Sequence, residues 1–320
     1  MNLLNAWLSK TQARARRVLH PERGGSPMFV ITCVTGRTGA VAARLLLEAG
    51  RKVRVVARKM EALTAWSERG AEIAVADYAD VPAMTEAFRG ATAAYVIPPP
   101  LPVTATGHHE YRVTRTECVA RALAAAHVPY AVSLSSFAAQ HSAGTGMIRS
   151  CYTCEKVLDG VKQTSITHLR PAFFLENWAG QIPALKDGVL PSFLGPADRK
   201  FTMVGTTDIG AVAARLLLEP VPGRRVVELS GTEDYSVGDV AQAFGHLLGR
   251  DIQPVIYPID KMKGFLVSTG FSPETAENYQ ELFGAMMTGH VALEGKVPLQ
   301  RGTLGIAYTL GSMLKRAAVT

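Results

Sequence analysis

Two glycines and an alanine near the start of the chain have the spacing of a pyrophosphate-binding turn. Gly36, Gly39 and Ala42 follow the pattern G-x-x-G-x-x-A, after the apolar residues 28–34 and before a helix-forming stretch. Gly36 permits a tight turn, and Gly39 lets a phosphate approach the backbone. The N-terminus of the following helix would offer free N–H groups and a partial positive charge. The alternative is an ordinary strand-turn-helix corner that happens to contain two glycines.

The next strand indicates which dinucleotide would bind. Residues 52–57 have the pattern of a short buried strand; Arg58 and Lys59 follow it, and no acid occurs before Glu61. In NAD-binding folds an acid about 20 residues after the glycines binds the adenosine 2′-hydroxyl. Two cations suit a 2′-phosphate instead, with about 1.5–3 kcal/mol for each charge-assisted hydrogen bond, and Arg37 could add a third contact. The sequence favours NADP(H) over NAD(H); the alternative is that these cations are solvated loop charges.

Length and composition exclude several classes of protein. The chain has 320 residues, enough for one large domain or two small ones, and its hydrophobic content of 48% allows a sizeable core. It contains no uninterrupted apolar run of about 18 residues, and we predict no transmembrane helix and no membrane partner. Four cysteines are too few for a disulfide framework in this length, which favours the reducing cytoplasm. A zinc site at the C-x-x-C pair Cys151 and Cys154 would need two more ligands at suitable spacing, and the sequence offers none, so we predict no metal site.

Positive charge is concentrated before the predicted fold begins. Residues 1–27 contain five Lys or Arg residues and one Glu, so most of the net charge of +7 lies there. We therefore expect no nucleic-acid binding by the folded body. For this basic N-terminal extension, a disordered tail or an over-long gene start is favoured over an Arg-rich targeting segment, since Met28 directly precedes the first strand and no secretory apolar core is present.

Strand and helix patterns alternate through the first half of the chain, including a helical pattern over residues 60–69. Repeated β-α units predict an α/β fold with a Rossmann-type doubly wound parallel sheet and helices on both faces. We predict an NADP-binding domain over residues 28–172. Residues 173–320 would partly return to the sheet and partly form a smaller C-terminal lobe that covers the substrate. From Pro258 onward the chain is predicted to be helical or irregular.

Six short motifs occur in an order that is specific for one known family. They are Val34–Gly39, Ser133–Ser136, Gly144–Gly146, Leu169–Trp178, Thr207–Gly210 and Glu228–Gly231. On these motifs the chain resembles the NmrA-like group of atypical short-chain dehydrogenase/reductases. The resemblance covers nearly everything from residue 28 and is weakest after about residue 255. It is not specific for one substrate.

The resemblance implies a Rossmann-type fold that binds NADP at the C-terminal edge of its sheet. The cofactor residues that it implies are Thr35, Gly36, Arg37, Thr38 and Gly39 at the pyrophosphate, Arg58 and Lys59 at the 2′-phosphate, Asp77 and Tyr78 at the adenine, Ile97, Pro98 and Pro99 beside the nicotinamide ribose, and Pro171, Phe173 and Phe174 at the nicotinamide. Some members of the family reduce quinones, azo compounds or related acceptors. Others only bind the dinucleotide and report its redox state to a partner protein.

Tyr152 and Lys156 fit the Y-x-x-x-K pattern of active short-chain reductases. Residues four apart lie on one helix face, so Tyr152 could give a proton to the substrate oxygen. The Lys156 ammonium would make that proton easier to lose and hold the nicotinamide ribose. Ser135 or Ser136, at the end of the fifth strand, could hydrogen-bond the same oxygen. Two other interpretations stay open: Lys156 binds the ribose without a catalytic Tyr152, or neither residue has a special role.

Cys151 and Cys154 form a C-x-x-C pair at the predicted start of the same helix. A helix N-terminus lowers the pKa of a thiol, so a redox pair is one interpretation. Small packing residues are the favoured one.

We therefore predict an NADPH-dependent oxidoreductase that transfers hydride to a small quinone, azo or carbonyl-type acceptor. Apolar contacts would dominate the acceptor pocket. The residues expected to shape it are Phe137, Phe174, Asn177 and Trp178. The alternative function is a non-catalytic NADP(H)-binding redox sensor that acts through a protein partner. A homodimer or a regulatory partner is left open, and the substrate is not determined.

Overall fold

The computed structural model describes residues 27–317, so the predicted basic extension, apart from Pro27, lies outside the described residues. The strands are β1 (Met28–Ile31), β2 (Lys52–Ala57), β3 (Glu72–Val75), β4 (Ala93–Val96), β5 (Tyr130–Leu134), β6 (Ser165–Pro171), β7 (Phe173–Phe174), β8 (Val189–Ser192), β9 (Phe201–Val204), β10 (Arg224–Ser230), β11 (Asp234–Tyr235), β12 (Gln253–Ile256) and β13 (Leu299–Arg301). The helices are α1 (Arg37–Glu48), α2 (Thr64–Ser67), α3 (Val81–Phe88), α4 (His108–Ala125), α5 (Arg149–Asp159), α6 (Ile182–Leu185), α7 (Thr206–Leu218), α8 (Val237–Leu248), α9 (Met262–Ser268), α10 (Pro273–Thr288) and α11 (Ile306–Ala317). Short 3-10 turns occupy Met60–Ala62, Gly146–Ile148, Leu175–Gln181 and Ile259–Lys261.

The central sheet has eight strands in the order β3-β2-β1-β4-β5-β6-β10-β13. Every pairing in it is parallel. Ile31 of β1 stands opposite Val55 of β2 on one side and Tyr95 of β4 on the other. The order reverses between β1 and β4, which is where ligands bind in folds of this kind. The predicted Rossmann-type doubly wound sheet is confirmed.

The sheet separates two apolar cores because alternate residues of each strand point to opposite faces. Phe29 and Ile31 pack with side chains of α1 and α7. Met28 and Val30 pack with side chains of α3, α4 and α5. Each fully buried side chain of this size contributes about 1.5–3 kcal/mol, so burial on both faces holds the carboxyl ends of the strands in place.

Residues after the sixth strand contribute both to this sheet and to a separate core. β10 and β13 extend the main sheet, whereas β7-β9-β11 and β8-β12 form two small sheets. The third apolar core joins these small sheets to α8, α10 and α11, and it includes Phe137, Phe173 and Trp178. The loops that follow β5 and β6 therefore pack into the C-terminal part of the chain.

Two local predictions differ from the structure. Residues 60–69 form a 3-10 turn and the single helical turn α2, because Leu63 is the one fully buried side chain among them. β13 occupies a segment that we predicted to be helical or irregular, and it is held by parallel pairing with β10 at the sheet edge. Among the described residues, no helix combines the length and the apolar character needed to cross a membrane.

Candidate active site

The loop between β1 and α1 forms a compact turn at the point where the strand order reverses. Cys33 has a φ of 48°, and its carbonyl oxygen accepts the Gly36 N–H at 2.9 Å. α1 begins at Arg37 with Gly36 as its N-cap, and because glycine has no side chain, the N-cap residue forms no side-chain hydrogen bond to the first N–H groups of the helix. The first N–H groups of α1 therefore receive no hydrogen bond from the N-cap residue, and together with the positive end of the helix dipole they are groups that can bind a phosphate.

The two glycines of this turn have different roles. A Cβ on Gly39 would lie 2.8 Å from the Cys33 carbonyl oxygen and 3.0 Å from Ile97 Cδ1. Gly39 is therefore needed for the close packing of α1 against the ends of β1 and β4. Gly36 is exposed, as are Thr35 and Arg37, whereas Thr38 and Gly39 are buried. The exposed part of the turn is the part that a ligand can contact.

Arg58 and Lys59 are both exposed at the carboxyl end of β2. Burial raises the pKa of the Cys33 thiol, while the Tyr78 hydroxyl and the positive charge of Arg58 oppose that rise. The Arg58 charge therefore acts at the glycine turn. Together with Arg37, these residues give the edge between β1 and β2 three exposed cations.

Tyr78 connects the loops that follow β3 and β4. Its hydroxyl donates to the Ile97 carbonyl oxygen at 2.5 Å, and Cys33 Sγ lies 3.6 Å from the same hydroxyl. Burial is the main reason that the pKa of Tyr78 lies well above its ordinary value. The neighbouring Asp77 is exposed and accepts the Ala79 N–H at 2.8 Å. Of the two residues predicted at the adenine, Asp77 has the side chain that a ligand can reach.

Thr32 joins the ends of β1 and β4, and sequence reasoning did not identify it. Its hydroxyl donates to the Tyr95 carbonyl oxygen at 2.9 Å and accepts the Ile97 N–H at 3.0 Å. Ile97 and Pro99 are buried, and Pro98 is half-buried. The only sequence signal was a polar residue at the end of an apolar strand, which many strands share.

α5 presents Glu155 to the end of β5. The Ser135 hydroxyl donates to Glu155 Oε1 at 2.5 Å, and Cys151 and Glu155 are both buried. Successive helical residues are about 100° apart, so Tyr152 lies on the flank of this buried face. Tyr152 is half-buried and Lys156 is exposed, with Lys156 Nζ 5.7 Å from the centre of the Tyr152 ring. The structure keeps Tyr152 and Lys156 together but gives Ser135 a different partner.

A buried network around Arg170 of β6 holds Glu155 in place. Arg170 Nε and Nη2 donate to the two Glu155 oxygens at 2.8 and 2.6 Å, and Nη1 donates to Glu294 Oε2 at 3.1 Å. Burial lowers the pKa of Arg170, but the bonds to Glu155 and the charges of Glu155, Glu294 and Glu228 outweigh it and raise that pKa. The sequence signal for this network was a charged residue inside an apolar strand, because such a residue requires buried carboxylates.

The residues predicted at the nicotinamide and the acceptor lie mainly in apolar surroundings. Phe137, Pro171, Phe173 and Trp178 are buried, Phe174 is half-buried and Asn177 is exposed. The Phe137 N–H donates to the Pro171 carbonyl oxygen at 3.0 Å, so the loops after β5 and β6 meet. The Phe173 and Phe283 rings pack nearly at right angles, with their centres 6.0 Å apart. The loops after β5 and β6 thus bring Phe137, Phe173 and Trp178 into one apolar core.

Cys151 and Cys154 are buried, unpaired thiols. Burial raises the pKa of both, to about 11 for Cys154. A raised pKa opposes formation of a thiolate, which redox chemistry requires. Within residues 27–317, no group of three or more His, Cys, Asp or Glu side chains is arranged to hold a metal ion.

The model of the NmrA-like family matches residues 28–292, which is most of the chain. The chain belongs to the NmrA-like family. The resemblance read from the six motifs is confirmed.

Two relatives of this NmrA-like protein are similar in sequence. Agroclavine dehydrogenase from Claviceps fusiformis is 27% identical over 137 residues, which cover 41% of this chain and 47% of that enzyme. Quinone oxidoreductase 2 from Escherichia coli K12 is 26% identical over 231 residues, which cover 70% of this chain and 76% of that enzyme. This chain therefore matches about half of the first relative's length and a larger share of the second's.

Two solved structures share the fold of this NmrA-like protein. The NADPH-dependent quinone oxidoreductase from Escherichia coli, complexed with NADPH, has a TM-score of 0.75 and 22% identity, over 90% of this chain and 100% of that one. Triphenylmethane reductase from Citrobacter has a TM-score of 0.71 and 17% identity, over 92% of this chain and 100% of that one.

Proposed function

We propose that this NmrA-like protein is an NADPH-dependent oxidoreductase that transfers hydride to a small quinone, azo or carbonyl-type acceptor. The observation that supports the proposal is the exposed pair Arg58 and Lys59 at the carboxyl end of β2. This strand pairs with β1, and the helix that follows β1 begins after Gly36, an N-cap without a side chain. This pair stands where NAD-binding folds place a carboxylate. The NADPH complex of the Escherichia coli quinone oxidoreductase and the NADP(H) complex of the Citrobacter reductase support the cofactor and the class of reaction.

The cofactor would lie along the carboxyl ends of the strands from β2 to β6. The first turn of α1 and Arg37 would hold the pyrophosphate, and Arg58 and Lys59 would hold the 2′-phosphate. Other contacts would come from Asp77 near the adenine, from Ile97, Pro98 and Pro99 beside the nicotinamide ribose, and from Pro171, Phe173 and Phe174 at the nicotinamide. Tyr78 would act by holding two of these loops together, since its hydroxyl is bonded to Ile97.

NADPH, when bound, supplies a hydride from C4 of the nicotinamide. The acceptor decides whether a side-chain acid is then needed. A quinone becomes the anion of a phenol, whose pKa is about 10, so water can protonate it. A simple carbonyl becomes an alkoxide, whose conjugate acid is about as weak an acid as water. Tyr152, with Lys156 beside it, is the proposed proton donor for this second class.

The environment of Ser135 favours quinones among these acceptors. Its hydroxyl proton is directed at Glu155, a carboxylate that Arg170 binds through two hydrogen bonds. Toward a ligand Ser135 would therefore offer lone pairs and no proton. An acceptor whose reduced oxygen needs no donor from this serine suits the site best.

A second candidate function is a non-catalytic NADP(H) sensor that acts through a protein partner. The observation that favours it is the partner of Ser135, which is Glu155 and not Tyr152. In such a protein the side chains around the nicotinamide would report which form of the dinucleotide is bound. The cofactor contacts proposed above would be the same.

Steady-state oxidation of NADPH with quinones, azo dyes and aldehydes separates these functions, with binding of NADPH measured in parallel by calorimetry. We expect turnover that is fastest with quinones. Micromolar binding without turnover of any acceptor would contradict the enzyme and support the sensor. Absence of binding to both NADP⁺ and NADPH would contradict both.

A further inference from the structure

Two histidines from distant parts of the chain stack on one another. His141 lies in the loop after β5, and His290 follows α10. Their ring centres are 4.3 Å apart and their planes are inclined by 34°. His290 Nε2 lies 3.3 Å from the Ala143 carbonyl oxygen, and His141 Nε2 lies 3.3 Å from the side-chain nitrogen of Gln140.

The contact with Gln140 requires an uncharged His141. The Gln140 side-chain oxygen faces Arg170 Nη1 at 3.4 Å, which places its NH₂ group at the imidazole. An amide NH₂ only donates, so His141 Nε2 must accept, and only neutral imidazole can do so. Protonation of His141 Nε2 would remove this hydrogen bond and place the N–H donors of His141 and Gln140 opposite each other. A proton on each ring would also place two like charges 4.3 Å apart.

The pair joins residues 289–295, which we name the strap, to the loop that carries His141. His290 packs so closely that a Cβ on Gly144, which has a φ of +74°, would lie 3.0 Å from its Nε2. The other end of the strap is fixed by Glu294, which binds Arg170, and by Glu228, whose carboxylate accepts the N–H groups of Glu294 and Gly295. The stacked histidines, of which His141 is half-buried and His290 is exposed, thus form the solvent-accessible end of an otherwise largely buried attachment.

The strap is connected to the candidate site through the same arginine. Arg170 binds Glu155 as well as Glu294, and Glu155 accepts the Ser135 hydroxyl. Phe137, which is expected to shape the acceptor pocket, lies in the loop that the histidines attach. Movement of the strap would therefore reach the residues proposed to contact the acceptor.

We propose that His141 and His290 form a proton-sensitive latch, which holds the strap to the loop after β5 when both rings are neutral and releases it when they are protonated. The charged groups that face the pair are Glu294 and Arg170. Burial and His290 lower the pKa of His141, Glu294 raises it, and Arg170 lowers it, with a net decrease. The pKa of His141 is lower in the latched state than in a free histidine, so the latched state binds fewer protons. The stabilisation of the latched state is therefore complete above the ordinary histidine pKa of about 6.5 and is lost as the pH falls below it.

Amide hydrogen exchange on the full-length protein without ligand tests the latch directly. Between about pH 7.5 and about pH 5.5, peptides that cover residues 138–146 and 289–295 should lose about tenfold in protection, after correction for intrinsic exchange. Peptides from β1 and β2 serve as the internal reference. In His290→Gln, which can still donate to Ala143 but cannot take a charge, the pH dependence of residues 289–295 should disappear. His141→Gln should behave in the same way.

The matched control is His246→Gln, since His246 is an exposed histidine of α8. It should keep the pH dependence of the parent protein. No pH-dependent loss of protection in the parent protein, or an equal loss in His290→Gln, would overturn the latch. A rise in KM for a quinone at low pH, absent in His290→Gln, is a further expectation that rests on the proposed function. The hydrogen-exchange experiment tests the latch independently of the proposed function, because it requires neither cofactor nor acceptor.

Discussion

Gly210 of α7 lies against the Thr38 carbonyl group in the first turn of α1. A Cβ at position 210 would be 2.7 Å from the Thr38 oxygen and 2.6 Å from Val41 Cβ. Real side chains do not tolerate such distances, so the two helices approach closely because residue 210 has no side chain. The spacing of α7 and α1 therefore sets the position of the turn that is proposed to hold the pyrophosphate.

Gly210→Ala should consequently weaken both the fold and the proposed cofactor site. Overpacking of this kind costs about 1–3 kcal/mol, and displacement of α1 should raise the Kd for NADP⁺. Chemical denaturation and calorimetry measure the two effects. Gly284→Ala in α10 is the control, since a Cβ there meets nothing within 4 Å, and it should stabilise the protein by about 0.5–1 kcal/mol. A Gly210→Ala protein as stable as the parent would contradict the close helix contact.

Replacement of Arg58 and Lys59 by alanine should remove the preference for a phosphorylated dinucleotide. The loss of one charge-assisted hydrogen bond raises the Kd for NADP⁺ by about 10- to 100-fold, while the Kd for NAD⁺ should change by less than about twofold. Calorimetric titration with both dinucleotides checks this. Lys52→Ala removes an exposed cation at the other end of β2 and should leave both values unchanged. Equal weakening of NADP⁺ and NAD⁺ would argue against a 2′-phosphate site.

Tyr152→Phe should separate the two classes of acceptor. If Tyr152 is the acid for simple carbonyls, its loss should lower kcat for an aldehyde by about 100-fold or more. Quinone turnover should fall by less than about threefold, because a phenolate can be protonated by water. Parallel steady-state assays with one aldehyde and one quinone measure the loss of kcat for each acceptor. An equal loss for both acceptors would indicate a structural role, and no loss for either would reject Tyr152 as a donor.

Glu155→Ala should strongly destabilise the protein. Glu155 and Arg170 are both buried, and removal of one partner of a buried ion pair costs about 3–5 kcal/mol. Glu294 would keep one bond to the arginine, which places the expected loss at the lower end of that range. Thermal and chemical denaturation measure it. The control is Glu86→Gln, which disrupts an exposed pair with Arg89 and should not change Tm. If Glu155→Ala lowered the stability no more than Glu86→Gln does, the network would contribute little to the fold.

The strands and helices were largely decided by local sequence. β2 and α1 occur where the sequence predicted a short strand and a helix after the glycine turn, because each buries apolar side chains in the core on one face of the sheet. The alternation of these patterns was sufficient to predict a parallel sheet, since parallel strands need helical crossovers. The position of Arg58 and Lys59 could also be predicted, because in this fold the carboxyl end of the second strand lies beside the first glycine turn.

The rotation of α5 and the pairing of distant charges were decided only by tertiary structure. The Y-x-x-x-K spacing places Tyr152 and Lys156 on one face, but it does not say which face meets β5; packing turned Glu155 toward Ser135. Arg170 and Glu294 are 124 residues apart, and His141 stacks on His290 across a similar separation. Local periodicity carries no information on such contacts, because they depend on how the C-terminal segment returns across the strand ends.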